Sequence, residues 1–228
     1  MGSLVAELVE MFAPPEKRPS NAPPAPVVPV ILDSQAVSTV PTAPPAQLVT
    51  ADVLRVVMPR LPLVKLNLYL PFLQQALAEF LIDTPLRAAA FLGEVAEESI
   101  ELRYFEEIAS GAAYEGRKDL GNTQPGDGVR YKGRGPIQLT GRGNYRKYGL
   151  ALSLDLEGHP ELAADPSVGF RTAGLYWKSH GLNELADAKN LREITRRING
   201  GELGESTREM YYRRALGAFG VTTADIVV

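Results

Sequence analysis

Residues 83–107 read "DTPLRAAAFLGEVAEESIELRYFEE". Thr84 and Pro85 open the stretch as an N-cap followed by proline at the first helical position, a strong start signal. Behind them, Leu86, Ala89, Ala90, Leu92, Val95 and Ala96 recur at the spacing of one buried helical stripe. Glu94, Glu97, Glu98 and Glu101 fall at i, i+3, i+4 and i+7, so they project toward one side of the same helix. Residues 91–107 hold six carboxylates, with Arg103 as the only base. Like charges at helical spacing repel mildly, and a face that serves only solubility normally mixes in lysine. The helix alone leaves two readings open, a solvated face or an acid site.

The rest of the chain is read outward from that helix. "VTADVLRVVMPRL" (49–61) carries Thr50 as a cap candidate with Leu54 and Val57 on one face, and "YLPFLQQALAEFLI" (69–82) is a second apolar-periodic segment. Residues 110–136 are rich in glycine and polar side chains and predict loop or short strand. Helices are expected from about 139 to 148, over "GFRTAGLYWKSHG" (169–181) and around "STREMYYRRALGAFG" (206–220). The class is mainly α, a domain over 49–228 with a cleft. Before it, ten of the 18 prolines fall ahead of residue 46. Residues 1–48 therefore read as an extended Pro-rich arm. Leu4, Val5, Leu8, Val9 and Phe12 allow a short amphipathic helix at its start, either a frayed tail or a docking peptide on a tether.

Composition sets limits on function. The 228 residues are 45% hydrophobic and carry a formal net charge of −3, which gives no general attraction to nucleic acid or to an anionic membrane surface. There is no cysteine, so disulfide scaffolds, Cys-based zinc sites and cysteine nucleophiles are excluded. His159 and His180 are the only histidines. No metal, nucleotide or redox cofactor is suggested, and no membrane span is found. "MGSLVAELVEMF" has no basic n-region and carries Glu7 and Glu10 inside its apolar run. The chain is therefore expected to be made in the cytoplasm without a signal peptide, and to act elsewhere only after lysis or delivery.

"YKGRGPIQLTGRGNY" (131–145) shifts the balance on the glutamates. Gln138 and Asn144 offer amides to sugar hydroxyls or acetamides, Thr140 could position a water, and Tyr131 and Tyr145 offer flat aromatic faces. Amides, hydroxyls and aromatics beside paired carboxylates are the inventory of a carbohydrate cleft. Glycoside hydrolysis needs one protonated acid to donate to the leaving oxygen and one ionised acid to activate water or stabilise the cation. A crowd of acids raises at least one pKa.

The blocks "AFLGEVAEES…RYFEE", "GRGPIQLTGRGNY" and "ITRRINGG" resemble those of family 19 glycoside hydrolases, in the family's order and across about residues 49–220. This is the chitinase group, with lysozyme-like relatives among bacteriophage endolysins. The resemblance implies a lysozyme-like helical fold and inverting cleavage of a β-1,4 linkage next to an N-acetylated sugar. It implies Glu98 as general acid and Glu107 as general base, with Glu106 the neighbouring alternative, and Thr140 as the residue that holds the attacking water with the base. Gln138 and Asn144 match substrate-binding positions, and Asn199 matches a cleft asparagine. Arg208 matches an arginine near the carboxylates, a surface salt bridge being its alternative.

Glu94 and Glu101 are then left as a solvated or tuning face. Gly133, Gly135 and Gly143 are read as shaping the backbone, Glu115 as a third acid or a loop-bonding group, Trp177 as core and His180 as non-catalytic. The chain departs from the family where Glu97 replaces the usual histidine before the acid, and where Ile100 and Glu101 replace glycines. Glu97 is expected to add repulsion and raise the pKa of Glu98. Two functions are implied. One is a glycosidase acting on peptidoglycan or on chitin. The other is a catalytically impaired wall-binding component of a phage tail or injection particle, carried by the arm.

Overall fold

A computed structural model describes residues 48–201 and 204–221. The arm, with its expected helix over residues 3–12, lies outside the described residues. The helices are α1 Ala51–Val57, α2 Leu63–Glu79, α3 Pro85–Glu98, the one-turn α4 Asp127–Arg130, α5 Arg142–Leu152, α6 Pro166–Ser179, α7 Leu182–Asp187, α8 Leu191–Asn199 and α9 Glu205–Ala218. Short 3₁₀ turns sit at Ala112–Tyr114, Lys118–Leu120 and Pro160–Ala164. Among the described residues the only β pairing is two isolated bridges, Glu106 with Arg134 and Arg134 with Leu139. The chain is mainly helical, as expected, and no helix among the described residues is long and apolar enough to cross a membrane.

The caps act where the sequence places them. Thr50 Oγ1 accepts from the Val53 amide and Thr84 Oγ1 from the Arg87 amide, each at 3.3 Å, satisfying a donor that the first turn leaves unpaired. Two boundaries differ from expectation. Helix α2 begins at Leu63 and runs through Pro71, where burial of Leu66, Tyr69, Leu73, Ala76 and Leu77 on one face outweighs the lost backbone bond. Helix α5 begins at Arg142 because Leu139 is held extended by Arg134, and Gly141 (φ +89°) turns the chain before the first helical residue.

Two hydrophobic clusters organise the molecule. The larger joins α1, α2, α3 and α6–α9 and contains Trp177, which is core as read from the sequence. The smaller gathers Tyr131, Leu139, Tyr145, Tyr148, Leu156 and Ala163 beneath the glycine-rich segment. Leu154, Leu175 and Tyr176 pack against both.

In the larger cluster α3 is buried along Ala88–Ala96 and lies mainly against α9. Gly93 permits this contact, since a Cβ there would lie 3.1 Å from the Arg208 carbonyl oxygen and 3.3 Å from the Tyr212 amide. The two helix backbones meet there, and Arg208 comes down over the last turn of α3.

In the smaller cluster charge does part of the work of a core. Asp127 accepts from the Thr123 and Gln124 amides, both at 3.0 Å, and from Arg142 at 2.5 and 2.9 Å. Arg142 also reaches Glu157 at 3.1 Å, and the Arg142 amide donates to Asn122 Oδ1 at 2.8 Å. Glu115 accepts from the Gly126 and Gly128 amides at 2.7 and 2.8 Å, so its carboxylate is a loop fastener.

Candidate active site

Glu98 is the last residue of α3. Its side chain is only 2% exposed and accepts a hydrogen bond from Arg208 Nη2. The same guanidinium donates through Nε to Glu94 Oε2 at 2.6 Å, and Thr195 Oγ1 donates to Glu94 Oε1 at 3.0 Å. One buried cation thus serves two buried carboxylates. Burial pushes the Glu98 carboxyl up, Arg208 opposes it, and Glu97 adds to the rise, as its place in the sequence suggests. Burial raises Glu94 to about 7, again against Arg208 and with a push from Glu98. With two acids on one base, the cluster favours the protonated form of a carboxyl more than a solvated pair would.

Glu94 and Glu101, expected on a solvated or tuning face, are instead buried at 1% and 2% exposure. The reason lies outside the helix, because Arg208 covers the first and Arg60 with Tyr211 the second. Arg208 is a buried bridge and not a surface residue. Glu97 is half-buried, and a Cβ at Gly204 would meet both Arg208 Nη1 and, at 2.9 Å, Glu97 Oε1. Burial raises the Glu97 carboxyl while Arg208 and Arg60 oppose it.

Glu107 stands in a second cluster. Tyr114 OH donates to its Oε1 at 3.1 Å and the Gly133 amide to its Oε2 at 3.0 Å. Its own amide donates to Gly133 O at 2.9 Å, and Lys132 Nζ donates to its carbonyl at 3.1 Å. A Cβ at Gly133 would lie 2.7 Å from Gln138 Oε1, 3.2 Å from Glu107 Oε2 and 3.3 Å from Thr140 Oγ1. Those three polar atoms converge on one spot, and glycine keeps it open. Glu106 turns away to Lys132 and Arg134, at 3.3 and 3.2 Å. Gln138 adopts a left-handed backbone (φ +54°), a conformation that side-chain-bearing residues hold only where their surroundings fix it. Thr140 Oγ1 donates to Gln138 O at 2.8 Å, and Asn144 Nδ2 donates to Thr140 O at 2.8 Å.

The other candidates fall into two groups. Asn199 ends α8, one helical turn after Thr195 on the face that meets Glu94. Tyr131 and Tyr145 are buried at 1% and 0% exposure, which corrects their reading as open aromatic platforms. Their hydroxyls donate to the carbonyls of Glu157 (3.0 Å) and Lys132 (2.8 Å), and their rings pack tilted against each other behind the glycine-rich strip, with centroids 5.4 Å apart. The strip needs a floor, and these rings supply it.

Comparison with known proteins fits this arrangement. The family description Chitinase class I matches residues 95–191, the span holding Glu98, Glu107, Gln138 and Thr140. Chitinase C from Streptomyces griseus superposes with a TM-score of 0.66 at 25% identity, over 80% of this chain and 97% of its own. A bacterial family 19 chitinase structure does so with a TM-score of 0.62 at 27% identity, over 77% and 96% of the two chains. These matches support glycoside hydrolase family 19 as the family of this chain.

Its fold is accordingly the lysozyme-like helical one. A glycosyl hydrolase family 19 domain-containing protein of Haemophilus influenzae is 37% identical over 107 residues, 47% of this chain and 52% of its own. The chain thus spans about half the length of that relative. Glu94, Thr195 and Tyr114 were not read from the sequence as site residues. Glu94 offered one signal, its place one turn before Glu98, but the arginine that defines it lies 114 residues away.

Proposed function

We propose that this chain hydrolyses β-1,4 linkages next to N-acetylated sugars with inversion at the anomeric carbon. The observation that carries the reading is the contrast between the two carboxylates. Glu98 sits buried with its carboxyl raised above the usual range, while Glu107 is gripped by two donors and its Oε2 converges with Thr140 Oγ1 on the space that Gly133 keeps open. Glu98 gives its proton to the glycosidic oxygen as the bond from that oxygen to the anomeric carbon breaks. Glu107 takes a proton from a water that Thr140 helps to hold, and the water oxygen bonds to the anomeric carbon from the opposite face. An inverting pair is separated by roughly 6.5–9.5 Å so that this water fits between the carboxyls. Gln138 then faces the sugar beside the water, and Asn144 braces Thr140 from behind.

Peptidoglycan is the substrate we assign. The cysteine-free chain and its long Pro-rich arm support a wall-lytic domain tethered to a carrier through residues 1–48. Chitin is the second reading, supported by relatives named as chitinases. Mass spectrometry of products from purified peptidoglycan and from chitin oligosaccharides reports bond and substrate together. Glu98→Gln and Glu107→Gln should each cut turnover by about 10²–10⁴-fold. Equal behaviour of wild type and both variants would sink the acid/base assignment.

A further inference from the structure

The connection from the acid to the base begins with three consecutive residues in the left-handed region, none of them glycine: Ile100 (φ +52°), Glu101 (+59°) and Leu102 (+58°). The first two complete a Schellman ending for α3. The Ile100 amide donates to Glu97 O at 3.3 Å and the Glu101 amide to Ala96 O at 2.7 Å. Glycine is the usual residue at the first of these positions, because a Cβ crowds the following carbonyl, and a β-branched side chain is the worst substitute. Three such residues in a row persist only if something outside the turn holds them.

Arg60 and Tyr211 supply that hold, through the side chain of Glu101. Its carboxylate accepts from the Arg60 amide at 2.6 Å, from Arg60 Nε at 2.9 Å and from Tyr211 OH at 3.0 Å, and Arg60 Nη2 donates to Tyr211 OH at 3.1 Å. Ser99 closes the inner side, its Oγ accepting from the Leu102 amide at 2.7 Å and donating to Val95 O at 2.5 Å. Tyr211 lies three residues after Arg208, so one face of α9 grips Glu98 and Glu101 together. Beyond the turn, Phe105 O accepts from the Gly135 amide at 2.8 Å, and Glu107 pairs with Gly133.

We propose that Glu101 is a positioning residue for hydrolysis, a buried clamp on Arg60 and Tyr211 that holds the strained left-handed turn and so sets the placement of Glu98 relative to Glu107. This rests on the hydrolytic reading above. Without the clamp, Ile100, Glu101 and Leu102 relax toward negative φ. The two carboxylates then leave their working geometry while the sugar-binding groups of the glycine-rich strip stay in place. The defect should therefore fall on kcat and not on KM.

The test uses the full chain on soluble peptidoglycan strands and on chitin hexasaccharide, with Glu101→Gln, Tyr211→Phe, Ile100→Gly and the double variant Ile100→Gly/Glu101→Gln. Glu101→Gln should lower kcat by about tenfold or more with KM within about twofold. Tyr211→Phe, which keeps the Arg60 contacts, should lower it less. Ile100→Gly should raise the melting temperature, and in the Glu101→Gln background it should recover at least about threefold in kcat, because glycine holds the turn without help. The melting temperatures of the four-member cycle should be non-additive. Folded Glu101→Gln with wild-type kcat, a loss that Ile100→Gly does not recover, or additive melting shifts would each overturn the proposal. Should wild type and Glu98→Gln both fail to turn over substrate, the hydrolytic reading falls. The melting cycle would still decide the clamp. If Glu101→Gln does not fold, Tyr211→Phe carries the kcat comparison.

Discussion

Glu94 and Glu98 share the Arg208 guanidinium, and that sharing decides how each holds its proton. With Glu94 ionised, Arg208 is divided between two anions and stabilises an ionised Glu98 less. Glu94→Gln removes one anion and leaves more of the guanidinium's charge to Glu98, so the pKa of Glu98 should fall. An acid catalyst works only while protonated, so the alkaline limb of kcat/KM against pH should move to lower pH in Glu94→Gln, with the acid limb unchanged. An unmoved alkaline limb would mean that Glu94 is only a structural anchor. This coupling was not legible in the sequence. The spacing puts Glu94 and Glu98 on one side of a helix, but only the fold says that the side faces an arginine and not water. Glu98, Glu107 and Thr140 were readable as candidates because their motifs are local. Tyr131 and Tyr145 misled because residue type announces an aromatic surface and is silent on whether that surface is covered.

Among the elements, the pairing of α3 with α9 is the one on which the site depends. The start of α3 was plain from Thr84 and Pro85, since cap chemistry is written in adjacent residues. The place where α9 crosses it was not, because a helical glycine looks like a propensity cost until the neighbouring backbone is known. Gly93→Ala sets two effects against each other. Alanine should favour the isolated helix by about 1 kcal/mol, while forcing a methyl against backbone in a packed contact costs typically about 1–3 kcal/mol. The atoms in the way are the Arg208 carbonyl and the Tyr212 amide, and main chain yields less readily than a side-chain tip. The steric cost should win, giving a net loss of about 1 kcal/mol in urea unfolding together with reduced turnover as Arg208 lifts from Glu98. A more stable variant would show that the helices part freely.

At the scale of the molecule, two charge systems pull the pH dependence of stability in opposite directions. In the larger cluster Glu94 is raised to about 7, with Glu97 and Glu98 also raised. A carboxyl whose pKa is higher in the fold than in the open chain contributes stability that is complete below its ordinary value of 4.5 and lost as pH rises through 7. In the smaller cluster Asp127 and Glu157 are both held down to about 2, chiefly by hydrogen bonds from Arg142 to Asp127 and from Arg146 to Glu157. Their contribution is present above the ordinary values of 3.8 and 4.5 and is lost as pH falls toward 2. The melting temperature should therefore peak in mildly acid solution, near pH 4.5, and fall on both sides. The two flanks belong to different parts of the fold, so they should respond to different substitutions. Asp127→Asn should flatten the acid flank and leave the neutral flank intact, and Glu94→Gln should do the reverse. Calorimetry from pH 3 to 8 on the three proteins checks this. A peak at neutral pH, or one substitution that flattens both flanks, would show that the two clusters do not titrate as separate systems.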